Sequence, residues 1–258
     1  MPNIANVLAP ACLVGSGRSG TTLVTAILRR HPQVQALGET GNVVFSTLYH
    51  LEKTLPLCGP VYDRASAPAA AVAQVHRMLV DLFPSDMPRW FHKPIMLPAV
   101  RRMFPNDAAF NEWFWQAAGR LFPDARWFTV VRDWRDVARS SMRRWNWTPE
   151  VATRSQIRLA EMLLHPDNRL GLMLDFRALI GDPEGSTRRI LEFLGLPWDA
   201  SCLAAFDLAH APNRDEGAPD SIPNMRERGF AHAGDAAMFA SPLMDRLQAQ
   251  LRERAGIA

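Results

Sequence analysis

The chain reads as an α/β protein: three layers, with a central parallel sheet of about five strands covered by helices on both faces, and helical inserts. Two observations predict this. Apolar, β-branched runs alternate with amphipathic stretches along all 258 residues. Residues 15–22, Gly-Ser-Gly-Arg-Ser-Gly-Thr-Thr, stand between an apolar run (Val7 to Val14) and a helical stripe (Leu23, Val24, Ile27, Leu28). That order is strand, glycine-rich loop, helix. Such a loop turns backbone N–H groups and the positive end of a helix dipole toward one point, where a phosphate fits. Arg18 and the hydroxyls of Ser19, Thr21 and Thr22 add charge and donors.

The remaining elements follow in order. The first helix covers about 20–30 and stops at His31-Pro32. Val34 to Leu37 is a second strand, ending at Gly38-Glu39-Thr40. Residues 42–52 and 68–83 are helical, with a proline-rich loop at 56–68 between them. Trp90 to His92 is a third strand, ended by Lys93-Pro94. Residues 107–121 form an aromatic-rich helix, and Arg126 to Val131 a buried strand. Asp133 and Asp136 have the spacing of a capping box opening the next helix. A helix at 150–164 and a fifth strand, Leu170 to Phe176, come next. Asp182-Pro183 opens another helix, with proline at its first position, and Gly195 closes it. Residues 198–235 are loop-rich. Ser241-Pro242 opens a final helix striped by Leu243, Leu247 and Leu251. The whole of 1–258 reads as one domain, with helical inserts at about 42–88 and 100–120 and a covering segment at about 205–240.

Composition narrows the function. Hydrophobic residues make up 48% of the chain, enough for a sizeable core. The net charge is only +3 and the arginines are scattered, which disfavours a nucleic-acid arm. Three cysteines (Cys12, Cys58, Cys202) give neither a disulfide framework nor a metal spacing, so a reducing compartment, the cytoplasm, and no metal are expected. No apolar run reaches the length of a membrane span.

The loop separates the nucleotide-binding classes. Gly15 and Gly20 have Walker A spacing, but Thr21 stands where that motif has its lysine, so the β/γ-phosphate contact of a kinase or nucleotide hydrolase is missing. Gly15, Gly17 and Gly20 also fit a dinucleotide fingerprint. Glu39 stands near the place of its ribose-binding acid, roughly 20 residues on. Against that reading, the Arg-Ser-Gly-Thr-Thr core is bulky and polar for close approach to a pyrophosphate.

In parallel sheets, ligands bind beyond the carboxyl ends of the strands. The first four strands are followed there by Arg18, Glu39, Lys93 and Arg132. Three cations and one carboxylate suit a polyanionic substrate and a single general base.

These motifs, in this order, resemble the sulfotransferases that use 3′-phosphoadenosine 5′-phosphosulfate (PAPS). The loop from Gly15 to Thr22 resembles the family's 5′-phosphosulfate loop, which implies donor contacts from Gly17, Arg18, Ser19, Gly20, Thr21 and Thr22. The run Phe128 to Ser140 resembles its 3′-phosphate motif, which implies that Arg132 and Ser140 hold the 3′-phosphate. Leu174 to Leu179, Asp182-Pro183-Glu184 and Phe193 to Pro197 are also similar to family segments. Cytosolic members carry Lys-x-His after the third strand, and here Ile95 replaces that histidine. His31-Pro32 with Gly38-Glu39-Thr40 instead resembles tyrosylprotein and related sulfotransferases, which implies Glu39 as catalytic base and Lys93 as active-site lysine. Met225-Arg226-Glu227-Arg228-Gly229 resembles the phosphate-gripping segment of cytosolic members with one extra residue, so the choice between Arg226 and Arg228 stays open.

The resemblance implies a P-loop-NTPase-like fold, a bacterial enzyme, no metal, and adenosine 3′,5′-bisphosphate as the nucleotide product. The partner is a hydroxyl-bearing acceptor: a sugar, glycolipid, tyrosine or small molecule. Arg18 and Lys93 would offset charge developing on the sulfuryl and bridging oxygens. Partial burial of Glu39 is expected, since a glutamate at its ordinary pKa is a feeble base for an alcohol. Taken singly, these residues have plainer readings. Glu39 fits a helix cap or surface carboxylate, Lys93 a solvated loop residue, and Arg132 a structural partner of Asp136. His50 and His92 read as packing or surface histidines, and the tryptophans at 113, 115, 145 and 147 as packing, with a role in covering the acceptor open to some of them. The rival functions are a nucleotide kinase or hydrolase and a non-catalytic nucleotide-binding module.

Overall fold

The structure is a computed structural model and describes residues 9–58, 65–83, 86–95, 97–207 and 239–257. Five strands, β1 (Ala11–Leu13), β2 (Val34–Gly38), β3 (Arg89–His92), β4 (Arg126–Val131) and β5 (Leu170–Asp175), form one sheet in the order β2-β3-β1-β4-β5. Strand β3 runs parallel to both β1 and β2. The helices are α1 (Thr21–Arg29), α2 (Gly41–Thr54), α3 (Ala67–Leu82), α4 (Pro98–Arg101), α5 (Asp107–Leu121), α6 (Trp134–Trp145), α7 (Pro149–Leu163), α8 (Phe176–Gly181), α9 (Pro183–Leu194) and α10 (Pro242–Ala255). The α/β class and the five-stranded parallel sheet agree with the sequence reading.

The contacts group into two compact units. The first takes in the described residues of Met1–Val14, Gln33–Trp127 and His165–Arg169. Its core is aromatic. Phe45 and Phe114 lie 4.8 Å apart, and Trp115 packs edge-on against Phe114 at 4.9 Å. This explains the aromatic stripe of α5: Phe110 and Phe114 are fully buried. Asn106 caps that helix by accepting from the Ala109 N–H at 2.8 Å. Glu52 on α2 accepts from Trp113 (3.1 Å) and Arg120 (2.6 Å), tying α2 to α5. At the other end of α2, a Cβ on Gly41 would lie 2.7 Å from the Pro94 backbone. Only glycine lets the start of α2 approach the segment after β3 so closely.

The second unit takes in the described residues of Gly15–Pro32, Phe128–Leu164 and Leu170–Ala258. Its caps are those the sequence signals. Asp133 accepts from the N–H groups of Arg135 and Asp136, and Asp182 from that of Gly185. Ser241 accepts from that of Met244, and Gly195 closes α9 at φ 65°. The His31 ring is 2.9 Å from the Pro197 carbonyl oxygen, and Ser201 Oγ donates to the Arg30 carbonyl, also at 2.9 Å. These bonds fasten the end of α1 to the turns that follow α9.

Two expectations are corrected. Strand β5 ends at Asp175, not Phe176, because the Asp175 carboxylate accepts from the Arg177 N–H and starts α8 at once. The inward face of α10 is Met244, Gln248 and Leu251, while Leu243 is exposed. Packing of the helix turns the Met244–Gln248 row inward in place of the Leu243–Leu247 pair.

Candidate active site

The glycine-rich loop is built by close packing. A Cβ on Gly17 would lie 2.5 Å from the Trp145 ring, and one on Gly20 would lie 2.6 Å from the Phe176 ring. Gly20 also has φ 100°, a conformation that L side chains resist. Arg18, at φ 71°, is in the left-handed region without being glycine, the kind of strain that gathers at functional sites. Ser19 and Thr21 turn inward. Both hydroxyls donate to the Ser16 carbonyl, at 2.8 and 3.5 Å, and fold the loop on itself. Ser16 Oγ is buried in the loop without a hydrogen-bond partner. A buried, unpaired hydroxyl is costly unless something binds it. An orphaned donor in a cradle that side chains would fill suits a phosphate or sulfate group.

The two predicted anion motifs meet. Arg18 Nε donates to Ser140 Oγ on α6 at 2.9 Å, across 122 residues of sequence. Arg132, at the end of β4, donates from Nη1 to the Arg18 carbonyl, also at 2.9 Å. Its guanidinium sits 4.5 Å over the Phe176 ring, the same ring that borders Gly20. Its ion pair with Asp136 is long, 3.9 Å, so the plain reading of Arg132 as a structural partner of that aspartate is the weaker of its contacts. Burial pushes the Asp136 carboxyl up from its ordinary value, against the pull of Arg132.

The first unit holds the other predicted pair. Lys93 Nζ lies 3.0 Å from Glu39 Oε1. The expected partial burial of Glu39 is not found: its side chain is 65% exposed and that of Lys93 only 8%. The reason is local. Gly38, at φ 73°, turns the chain at the end of β2, and the Lys93 N–H donates to the Gly38 carbonyl at 2.9 Å. The lysine stem is thereby tucked against the strand ends while the carboxylate stays in solvent.

Four neighbours have contacts that the sequence reading does not assign. Thr40 Oγ1 pairs with His92 Nδ1 at 2.7 Å, and His92 is fully buried and stacked on Phe122 at 5.3 Å. Phe176 supports both Arg132 and Gly20. Trp145, 42% exposed, covers Gly17 and lies 4.6 Å from Trp147. Apart from the local Trp145–Trp147 contact, each of these joins distant segments, so spacing does not signal it. Of the predicted residues, Arg226, Arg228 and Gly229 lie outside the described residues. Among the described residues, no group of three or more His, Cys, Asp or Glu side chains could hold a metal ion, and no helix is long and apolar enough to cross a membrane.

Comparison with known proteins accords with this arrangement. A profile described as the Sulfotransferase family matches residues 10–200, and the chain belongs to that family. Three solved structures share the fold. The sulfotransferase domain of the Synechococcus PCC 7002 olefin synthase is 18% identical with a TM-score of 0.57, covering 100% of this chain and 96% of its own. The sulfotransferase domain from the curacin biosynthetic pathway is 16% identical, TM-score 0.57, covering 100% and 99%. Sulfotransferase STF9 from Mycobacterium avium is 14% identical, TM-score 0.56, covering 98% and 78%. No curated protein matches the sequence. Family and fold together support sulfuryl transfer, on a P-loop-like α/β scaffold.

Proposed function

We propose that the protein moves a sulfuryl group from PAPS to an acceptor hydroxyl by in-line displacement. The observation that carries this reading is the Arg132–Arg18–Ser140 linkage, which joins the 5′- and 3′-anion motifs through direct hydrogen bonds. A donor with phosphate-type groups at both ends matches two joined cradles.

Each residue then has a role. The loop of Gly15 to Gly20, with Ser16, Ser19, Thr21 and Thr22, receives the 5′-phosphosulfate. Arg132 and Ser140, with Arg226 or Arg228 and Gly229 of the covering segment, hold the 3′-phosphate, which distinguishes PAPS from ATP. PAPS supplies an activated sulfuryl group with adenosine 3′,5′-bisphosphate as leaving group. As the acceptor oxygen bonds to sulfur and the sulfur–oxygen bond to the nucleotide breaks, Glu39 takes the acceptor proton. Lys93 holds Glu39 in place through their 3.0 Å ion pair, and with Arg18 it offsets negative charge on the leaving oxygen and the sulfuryl group. Exposure of the Glu39 carboxylate suits a base that must meet an incoming acceptor. The free thiols of Cys12, Cys58 and Cys202 support a reducing setting, and we place the reaction in a bacterial cytoplasm.

The test is transfer of labelled sulfate from PAPS across a panel of phenols, sugars, glycolipids and tyrosine peptides. Label transfer by the wild type, and its loss in Glu39→Gln, supports the reading. A wild type that turns over ATP and Mg²⁺ but not PAPS contradicts it.

A further inference from the structure

In the second unit a polar cavity of about 10 Å³ is lined by Arg132, Asp136, Phe176, Arg177, Gln248 and Arg252, among others. That volume suits a single water molecule. Gln248 Nε2 on α10 and Asp136 Oδ2 on α6 are among the polar atoms here that are buried without a hydrogen-bond partner. Gln248 is 9% exposed and Asp136 7%. Asp136 Oδ2 stands 3.9 Å from Arg132 Nε, too far for a hydrogen bond. A glutamine between Met244 and Leu251 on the inward face of α10 is also out of place as packing. Two orphaned groups, a cavity of one water's size and a guanidinium at its edge are explained together if one water bridges them.

We propose that Gln248 is a positioning residue for the 3′-phosphate arginine. Through one buried water it hydrogen-bonds Asp136, and the carboxylate so fixed, 3.9 Å from Arg132 Nε, acts by its charge alone to favour the guanidinium pose that Phe176 and the Arg18 carbonyl already define. This role rests on the donor reading given above. The C-terminal helix, which lies outside the stretch of residues 10–200 that matches the family, thereby reaches the donor site.

Calorimetric titration of the wild type and Gln248→Met tests the proposal, with adenosine 3′,5′-bisphosphate and AMP as ligands. Methionine keeps the volume and removes the amide. The expected result is about tenfold weaker binding of the bisphosphate, the loss of one charge-assisted hydrogen bond, with AMP affinity within about twofold of wild type. Gln248→Asn, which retains an amide, should recover part of the loss. Equal effects on both nucleotides, or none, overturn the proposal, because a purely structural glutamine does not change their ratio. A wild type that ignores the bisphosphate overturns the donor reading, and this role with it, before any variant is compared. If Gln248→Met fails to fold, a high-resolution crystal structure of the wild type decides. Density within hydrogen-bond distance of both Gln248 and Asp136 supports the bridge, and an empty cavity refutes it.

Discussion

Thr40 Oγ1 and His92 Nδ1 lie 2.7 Å apart in the interior, one residue after Glu39 and one before Lys93. The ends of β2 and β3 are thus joined twice, by this bond and by the Lys93 N–H donating to the Gly38 carbonyl. The Glu39–Lys93 pair, a buried lysine with an exposed carboxylate, continues this buried clamp to the surface. An exposed ion pair alone holds its geometry poorly. The clamp supplies the order that solvent would otherwise remove.

The clamp makes stability depend on pH. Burial lowers the His92 pKa from 6.5 to about 4. The unfolded chain binds this proton below about pH 6.5, and the folded chain only below about 4. Stability from a neutral His92 is therefore complete above pH 6.5, falls as the pH drops toward 4, and levels off beneath. The linkage is on the order of 3 kcal/mol. Asp136, whose carboxyl burial pushes up, works in the opposite sense at the acid end. Urea unfolding of wild type and His92→Gln between pH 4 and 7 should isolate the histidine as the difference in slope.

Catalysis and folding should separate at the ion pair. Lys93→Met leaves behind a carboxylate already in water, so the thermal midpoint should move little. Turnover should fall by about 10²–10³, the usual effect of removing one electrostatic donor from a transition state. Glu39→Gln should lose turnover to a similar degree and leave bisphosphate affinity unchanged. Single-turnover kinetics beside a binding titration would measure both.

Arg132 and Ser140 should discriminate between nucleotides. Arg132→Ala removes a guanidinium that also buttresses the Arg18 carbonyl. Bisphosphate binding should weaken by about 1.5–3 kcal/mol, and AMP binding by much less. Ser140→Ala should show the same selectivity with smaller size. Equilibrium dialysis with both ligands gives the ratio directly.

The loop glycines should not behave alike. Gly20→Ala combines a left-handed φ of 100° with a clash against the buried Phe176 ring. It should cost about 2–5 kcal/mol. Gly17→Ala meets the half-exposed Trp145, which has room to swing into solvent, so the fold should survive with a smaller loss. Adding Trp145→Ala to Gly17→Ala should recover stability and not rescue Gly20→Ala. Urea midpoints of the four variants check this.

Much of the scaffold is legible in the order of residues alone. Strand-and-helix alternation yields the sheet, and Asp182, Gly195 and Ser241 mark helix ends through backbone chemistry that is local in sequence. The motifs at Gly15–Thr22 and Phe128–Ser140 are equally legible as strand–loop–helix segments, and they are the basis of the proposed anion site. What stays hidden depends on approach in space. No spacing rule reveals that Arg18 reaches Ser140, that Phe176 underlies Arg132, or that Trp145 rests on Gly17. Glu39 shows the limit for electrostatics: its place after β2 is readable from context, but its exposure follows from the turn at Gly38. The α10 face differs because packing in space, not leucine content, selects the row of the helix that is buried.

The central claim is that two joined cradles recognise a nucleotide carrying anions at both its 5′ and 3′ positions. Isothermal titration of the wild-type protein with adenosine 3′,5′-bisphosphate tests it most directly. The account predicts saturable heat and affinity at least about tenfold above that for AMP, as an extra charge-assisted contact requires. Absence of heat at millimolar ligand, or equal affinity for the two nucleotides, would contradict it.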